Sequence, residues 1–153
     1  MTVEIRVAGT EDELALVRAV RREVFVEEQN VPEELEYDAY DATSLHLLAT
    51  GADGAALGTA RLISRAQALE VTGGVADRVL LVRLAVVRSA RGTGLGARLV
   101  RAVEEQGRER GAVTLELHAQ VAAPGFYERL GYAAEGPVYQ DAGIAHRTMT
   151  RVL

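Results

Sequence analysis

The segment Arg91 to Arg98, RGTGLGAR, sets glycine at positions 92, 94 and 96, directly ahead of apolar residues at helical spacing. Glycine lets a main chain come close to a ligand, and amides running into a helix N-terminus make a cradle for phosphate. Two chemistries use such a cradle. Gly92-Thr93-Gly94-Leu95-Gly96-Ala97 satisfies G-x-G-x-x-G/A, and Glu116 follows it on a strand, which is the pattern of a NAD-binding oxidoreductase. Read instead as Arg91-x-x-Gly94-x-Gly96, the amides from Gly92 to Ala97 would grip the pyrophosphate of coenzyme A for acyl transfer, with the helix dipole adding its positive end. The dinucleotide fingerprint belongs in the tight turn after a domain's first strand. Here Arg88 to Arg91 separate the preceding strand from the glycines, and only one strand–helix–strand unit follows. The oxidoreductase is therefore the remote alternative.

Composition removes other chemistries. The chain has 153 residues, enough for one domain with a full core. It has no cysteine, which excludes thiolate nucleophiles, disulfides and cysteine-based metal sites. Its three histidines, His46, His118 and His146, lack the short spacing of a metal site, so no metal is expected. All 17 basic residues are arginine, so neither a Walker lysine nor a Schiff-base lysine is present. A net charge of −5 disfavours nucleic acid as the partner. The opening MTVEIRVAGTEDE has no secretory pattern, and no apolar run reaches the ~20 residues that span a bilayer. A cytoplasmic protein without membrane contact is expected.

The elements that must position the loop are legible in order. VEIRV at residues 3–7 alternates as an edge strand, and Thr10-Glu11-Asp12-Glu13 is a capping box. Apolar residues at helical spacing predict a helix from about Glu11 to Glu28, broken by Pro32 and the acidic stretch behind it. Ser44–Thr50 and Leu57–Ser64 read as strands joined at Asp53-Gly54, and a looser segment carries Gly73-Gly74. Val79–Val87 is the most apolar strand and should be central. A helix follows from about Leu95 to Arg110, ended by Gly111. Then come a strand at Thr114–His118, a short helix at Ala122–Leu130, and two strands, Tyr132–Tyr139 and Ala145–Val152, turning at Asp141-Ala142-Gly143. The fold class is mixed α/β in a single domain over residues 1–153. Strands near both chain ends could offer edges to a homodimer.

LAVVRSARGTGLGARLV, with FYERLGY some thirty residues on, resembles the GNAT superfamily of acyl-CoA-dependent N-acetyltransferases. Within it, VFVEEQNVPEELEYDAYD, LHAQ and VYQDAGIAH resemble the ElaA/YjcF-like branch. The resemblance implies a mixed sheet splayed at the coenzyme A site, with helices on both faces, and acetyl-CoA as co-substrate. It also implies an amine acceptor, on a small molecule or a peptide. It assigns the backbone of Leu84, Ala85 and Val86 to the pantetheine arm, with an amide there available to the thioester oxyanion. It assigns the Arg91, Gly92, Thr93, Gly94, Leu95, Gly96 and Ala97 loop to the pyrophosphate, and Gln120, in place of the family's asparagine, to the cofactor arm. Tyr127 matches the residue that protonates the departing thiolate.

No residue matches a catalytic glutamate on the central strand: Leu80 and Val82 are apolar and Arg83 is cationic. Glu28 is the first candidate for the base, with Glu116 and His118 as alternatives on one face of a strand, and His146 is expected to line the cleft by its match to the branch's last motif. Glu27, Glu28, Glu33, Glu34, Glu36, Asp38 and Asp41 crowd into fifteen residues, as a solvated face or as the rim of a site for a cationic amine. An acyl-CoA-binding module without turnover is the alternative from another functional class.

Overall fold

A computed structural model describes residues 2–64, 68, 72, 77–122 and 124–153. The Gly73-Gly74 segment and Ala123 lie outside the described residues. Strand β1 (Val3–Val7) leads through Thr10 into helix α1 (Glu11–Arg21). The capping box forms as its sequence requires: the Thr10 hydroxyl accepts from the Glu13 amide at 3.1 Å, and the Glu13 carboxylate accepts from the Thr10 amide at 3.1 Å. The predicted helix does run to Glu28, but not with one winding. From Arg22 to Glu28 it opens into a π-turn, marked by the Gln29 amide reaching back five residues to the Val24 carbonyl at 3.1 Å. Val20 and Val24 stay buried across the change, and the wider winding ends with Glu28 against the glycine loop. Such turns are rare and concentrate at functional sites.

A short helix α2 (Glu33–Glu36) and a 3₁₀ turn (Ala39–Ala42) lead to β2 (Leu45–Gly51) and β3 (Ala56–Ile63). The apolar strand is β4 (Arg78–Val86), followed by α3 (Leu95–Glu109) and β5 (Thr114–Gln120). Helix α4 (Pro124–Arg129) and the hairpin β6 (Ala133–Asp141) and β7 (Ile144–Val152) complete the chain. The hairpin turns on Ala142 and Gly143, both with positive φ (52° and 77°), the geometry that suits the right-handed twist of paired strands.

All seven strands form one sheet, ordered β1-β2-β3-β4-β5-β7-β6, with β4 central and β1 and β6 at the edges. Only β4 and β5 pair in parallel. On one face Val79, Leu81, Leu115 and Leu117 pack against Leu99, Val100 and Val103 of α3. On the other, Leu80 and Val82 meet Ile63 and Tyr40. Glu116, opposite Leu80 in the ladder, belongs to this second face.

The second face also holds a buried ion network. Arg21, 1 % exposed, donates to Glu36 at 2.5 Å, to the Glu36 carbonyl at 2.8 Å and to both oxygens of Asp41. Arg61, 2 % exposed, donates to Asp38 at 2.7 and 3.0 Å and to Asp41 at 3.0 Å. Burial alone would raise the Asp41 carboxyl. The bond from Arg21, the Asp38 amide and the charge of Arg61 together reverse that and hold it at about 2. A carboxyl held below its unfolded value of about 3.9 adds stability above that pH and loses it as the pH falls toward 2.

Replacing Arg21 with methionine takes the buried cation from Glu36 and leaves Asp41 with Arg61 alone. Urea unfolding at neutral pH should show a loss of about 3–5 kcal/mol. The gap to wild type should narrow as the pH is lowered from about 4 toward 2, because protonation removes the charges that Arg21 neutralises.

Candidate active site

The glycine loop leaves β4 through a 3₁₀ turn at Arg88–Ala90 and enters α3 at Gly94. Gly94 is the N-cap, with φ 84°, and no side chain caps the helix. A side chain would be strained at that φ, and the space beside the Gly94 Cα is open. The first-turn amides of α3 are thus left for an acceptor from outside, which suits a phosphate. Gly96 is glycine for another reason: a Cβ there would stand 3.3 Å from Cζ of Phe126, so its absence lets α4 lie against the first turn of α3. Phe126 is the neighbour of Tyr127. The loop and the candidate acid are therefore packed together.

The strand before the loop splays. β4 pairs with β5 only from Arg78–Thr114 to Leu81–Leu117, after which the two diverge and β5 continues with β7 as far as Gln120. On its other side β4 slips register against β3, Thr59 facing Ala85 while Arg61 faces Val82. Between those points sits Arg83 with φ 56°. The backbone of Leu84, Ala85 and Val86 therefore runs beyond the last β5 pair, where the resemblance implies a partner from the cofactor. Gln120, exposed at the end of β5, stands opposite His146.

Glu28 and Arg91 are joined across sixty-three positions by two bonds, at 2.6 and 2.7 Å. The Arg91 Nε also donates to the Val86 carbonyl at 3.0 Å, closing the last residue of β4. The Arg91 bond and charge hold the Glu28 carboxyl below its ordinary value. A carboxylate engaged in this way is a weaker proton acceptor than a free one. The residue expected first as a base is thus tied to the glycine loop.

Tyr127 lies with its ring 4.9 Å from Phe126 and 6.1 Å from Tyr132, on the α3 side of the sheet. Burial pushes its phenol up, so it holds its proton at any ordinary pH. Across the sheet, Glu116 and His118 bond each other: Nε2 of His118 lies 2.8 Å from Glu116 Oε2. Arg78 donates to the other Glu116 oxygen at 2.9 Å and to Glu135 at 3.1 Å. Burial would raise Glu116, but His118 and Arg78 bring it below the ordinary carboxylate value. An ionised Glu116 accepts, so the His118 Nε2 carries a hydrogen, and in the neutral ring the lone pair is on Nδ1.

His118 is the first residue of β5 past its last pairing with β4. It stands at the mouth of the split. Beside it opens a cavity of about 460 Å³ whose walls include Arg78, Glu116, His118, Glu135, Tyr139 and Asp141. Tyr139 contacts His118 edge-on at 5.9 Å and stacks on His146 at 5.9 Å. His146 donates from Nδ1 to the Ile144 carbonyl at 2.8 Å. Sequence reasoning gave Tyr139 no role. Its signal was its place in VYQDAGIAH, seven residues before the histidine on which it stacks.

The acidic crowd divides. Glu36, Asp38 and Asp41 are neither a solvated face nor a rim, because they turn inward onto Arg21, Arg61 and Arg83. Among the described residues, no helix is long and apolar enough to cross a membrane.

Residues 7–153 match the family described as Acetyltransferase (GNAT) domain. The uncharacterized N-acetyltransferase YjcF of Bacillus subtilis (strain 168) is 33% identical over 147 residues, covering 95% of this chain and 96% of that protein. The crystal structure of an acyl-CoA N-acyltransferase from Pseudomonas aeruginosa is 30% identical with a TM-score of 0.82, covering 99% of each chain. The Escherichia coli ElaA structure, at 24% identity, shares the fold with a TM-score of 0.82 over 98% of this chain and 99% of that one. A glycine-led helix with uncapped amides, a parent strand split from its neighbour and a match over nearly the whole length place the chain in one family: it belongs to the GNAT acetyltransferases, enzymes that draw on acyl-CoA.

Proposed function

We propose that this chain is a single catalytic domain that transfers an acetyl group from acetyl-CoA to a primary amine, on a small molecule or a peptide, by direct attack. The observation that carries the reading is the split between β4 and β5, with His118 at its mouth on one face and Tyr127 on the other. An amine is protonated near neutral pH and must lose a proton before it attacks. His118, oriented by Glu116, accepts that proton at Nδ1. The amine nitrogen then bonds the thioester carbon, and an amide of the Leu84–Val86 stretch stabilises the oxyanion. The carbon–sulfur bond breaks, and Tyr127 delivers its proton to the sulfur, whose acid has a pKa of about 8.5. As the amide forms, its nitrogen gives up its second proton to solvent; the tyrosinate takes a proton from solvent and the His118 imidazolium returns one to it.

The amides of Gly92 to Ala97 hold the pyrophosphate, and Gln120 lies along the cofactor arm. Glu28 serves that same end: it fixes Arg91, and Arg91 fixes the end of β4. Tyr139 walls the acceptor cavity, with His146 stacked on it, and Glu135 and Asp141 there favour a cationic acceptor.

Tyr127→Phe should lower kcat about 10²-fold or more while coenzyme A binding, measured by calorimetry, stays within about twofold. A folded wild-type protein that binds coenzyme A yet releases no thiol with any amine of a broad panel would identify a binding module instead.

His118→Gln should lower kcat/KM about 10²-fold while coenzyme A binding is kept. An unchanged rate places the base elsewhere.

Glu28→Gln separates base from clamp. The clamp reading expects acetyl-CoA KM to rise several-fold with kcat near wild type. A collapse of kcat at unchanged KM would restore Glu28 as the base.

A further inference from the structure

Arg83 is the only described residue inside a strand whose φ is positive without its being glycine or part of a turn; Asn30, Asp77 and Ala142 sit at loop positions, whereas Gly136 alone shares a strand interior. An L-residue at φ 56° is strained, because its Cβ crowds the following carbonyl. Glycine would take that conformation freely. The arginine must therefore be held there by its side chain.

Its guanidinium shows how. Nε and Nη2 donate to the Glu36 carbonyl at 3.2 and 3.0 Å, and Nη2 also reaches the Leu35 carbonyl at 3.4 Å and Asp38 at 3.3 Å. Asp38 is already engaged twice by Arg61. Arg83 thus brings a third cation to a network where burial, Arg61 and Arg21 all disfavour its charge and pull it below its ordinary value. As a stabilising device this is poor chemistry. As a tether it is specific, because it joins the Leu35–Asp38 segment to a residue two past the last β5 pair, inside the stretch where β4 slips against β3.

We propose that Arg83 is a positioning residue: its left-handed backbone turns Leu84–Val86 away from β5, and its guanidinium locks that turn to the Leu35–Asp38 segment, so that acyl-CoA meets a strand already opened. The proposal rests on the reading that Leu84–Val86 receive the pantetheine arm. Consecutive residues of β4 carry the signature of the turn. Val82 packs on the face of Leu80 and Ile63, and Arg83 reaches the same side, to Asp38, whose partner Arg61 is the residue paired with Val82. By Val86 the alternation has reset, since that side chain approaches Gly96 of α3.

The test uses Arg83→Lys, Arg83→Gly and Arg83→Ala in the full chain. Coenzyme A affinity is read by calorimetry, KM and kcat with acetyl-CoA, and folding by thermal melts. A tether at a left-handed residue predicts an unusual order. Affinity should fall slightly in the lysine variant, further in glycine, which keeps the turn at no cost, and most in alanine, by about tenfold. The loss should lie in Kd and KM rather than in kcat. An effect on strand stability alone would reverse glycine and alanine, because glycine weakens strands more. Equal affinity in wild type and variants, or alanine binding as well as glycine, overturns the proposal. Should the alanine variant not fold, lysine against glycine carries the test: a glycine variant binding as tightly as lysine overturns it. A wild-type chain that binds no coenzyme A overturns the cofactor reading and this proposal with it.

Discussion

Every feature of the candidate site depends on where the parallel ladder between β4 and β5 stops. Four residue pairs join the strands, ending at Leu81 and Leu117, and beyond them the backbone of β4 lacks its β5 partner. A main chain does not leave its amides and carbonyls unpaired in a protein interior without compensation. Here compensation comes at the strand's end, where Arg91 takes the Val86 carbonyl while β3 keeps its own pairing on the far side. What remains open is the stretch on the β5 side, which is where the proposed cofactor arm would pair as a missing strand does.

The two sides of the sheet divide the work. Helix α3 covers one side and brings the uncapped amides, Phe126 and Tyr127 into one packed group. The other side is polar inside: two arginines almost wholly buried, a third about a quarter exposed, and three carboxylates lie beneath the segment from Leu35 to Asp41. Charges so placed give little net stability, but they permit few alternative arrangements. Glu104 plays a comparable part behind α3, accepting from Tyr132 at 2.8 Å and from Arg101 at 3.0 Å. That bond anchors the residue that follows α4 and so steadies the helix carrying Tyr127.

How much of this was legible in the sequence depended on the range of the interaction. The capping box at Thr10, the hairpin at Asp53-Gly54 and the glycine loop are local, each written within a few neighbours, and each formed where its residues stand. The order of elements and the central place of β4 followed from periodicity. The π-turn was not legible, because Arg22–Glu28 has ordinary helical spacing and the wider winding answers to contacts elsewhere. Glu28 was singled out by its place in VFVEEQNVPEELEYDAYD, yet its partner lies sixty-three residues away. The acidic stretch looked like surface because the arginines that draw it inward belong to α1, β3 and β4. Glu116 and His118 are two apart on one strand, so their shared face could be read; that each satisfies the other could not. Tyr139 escaped because nothing in its neighbourhood shows that β6 and β7 bring it between two imidazoles.

All these ion pairs use guanidinium, since the chain has no lysine. An enzyme that handles an activated thioester exposes its own side-chain amines to stray acylation, and lysine is the residue that reaction consumes. With arginine in every cationic position, the network under Leu35–Asp41 and the clamp on the loop offer no such nucleophile. No side chain of the scaffold presents a primary amine to an acyl donor.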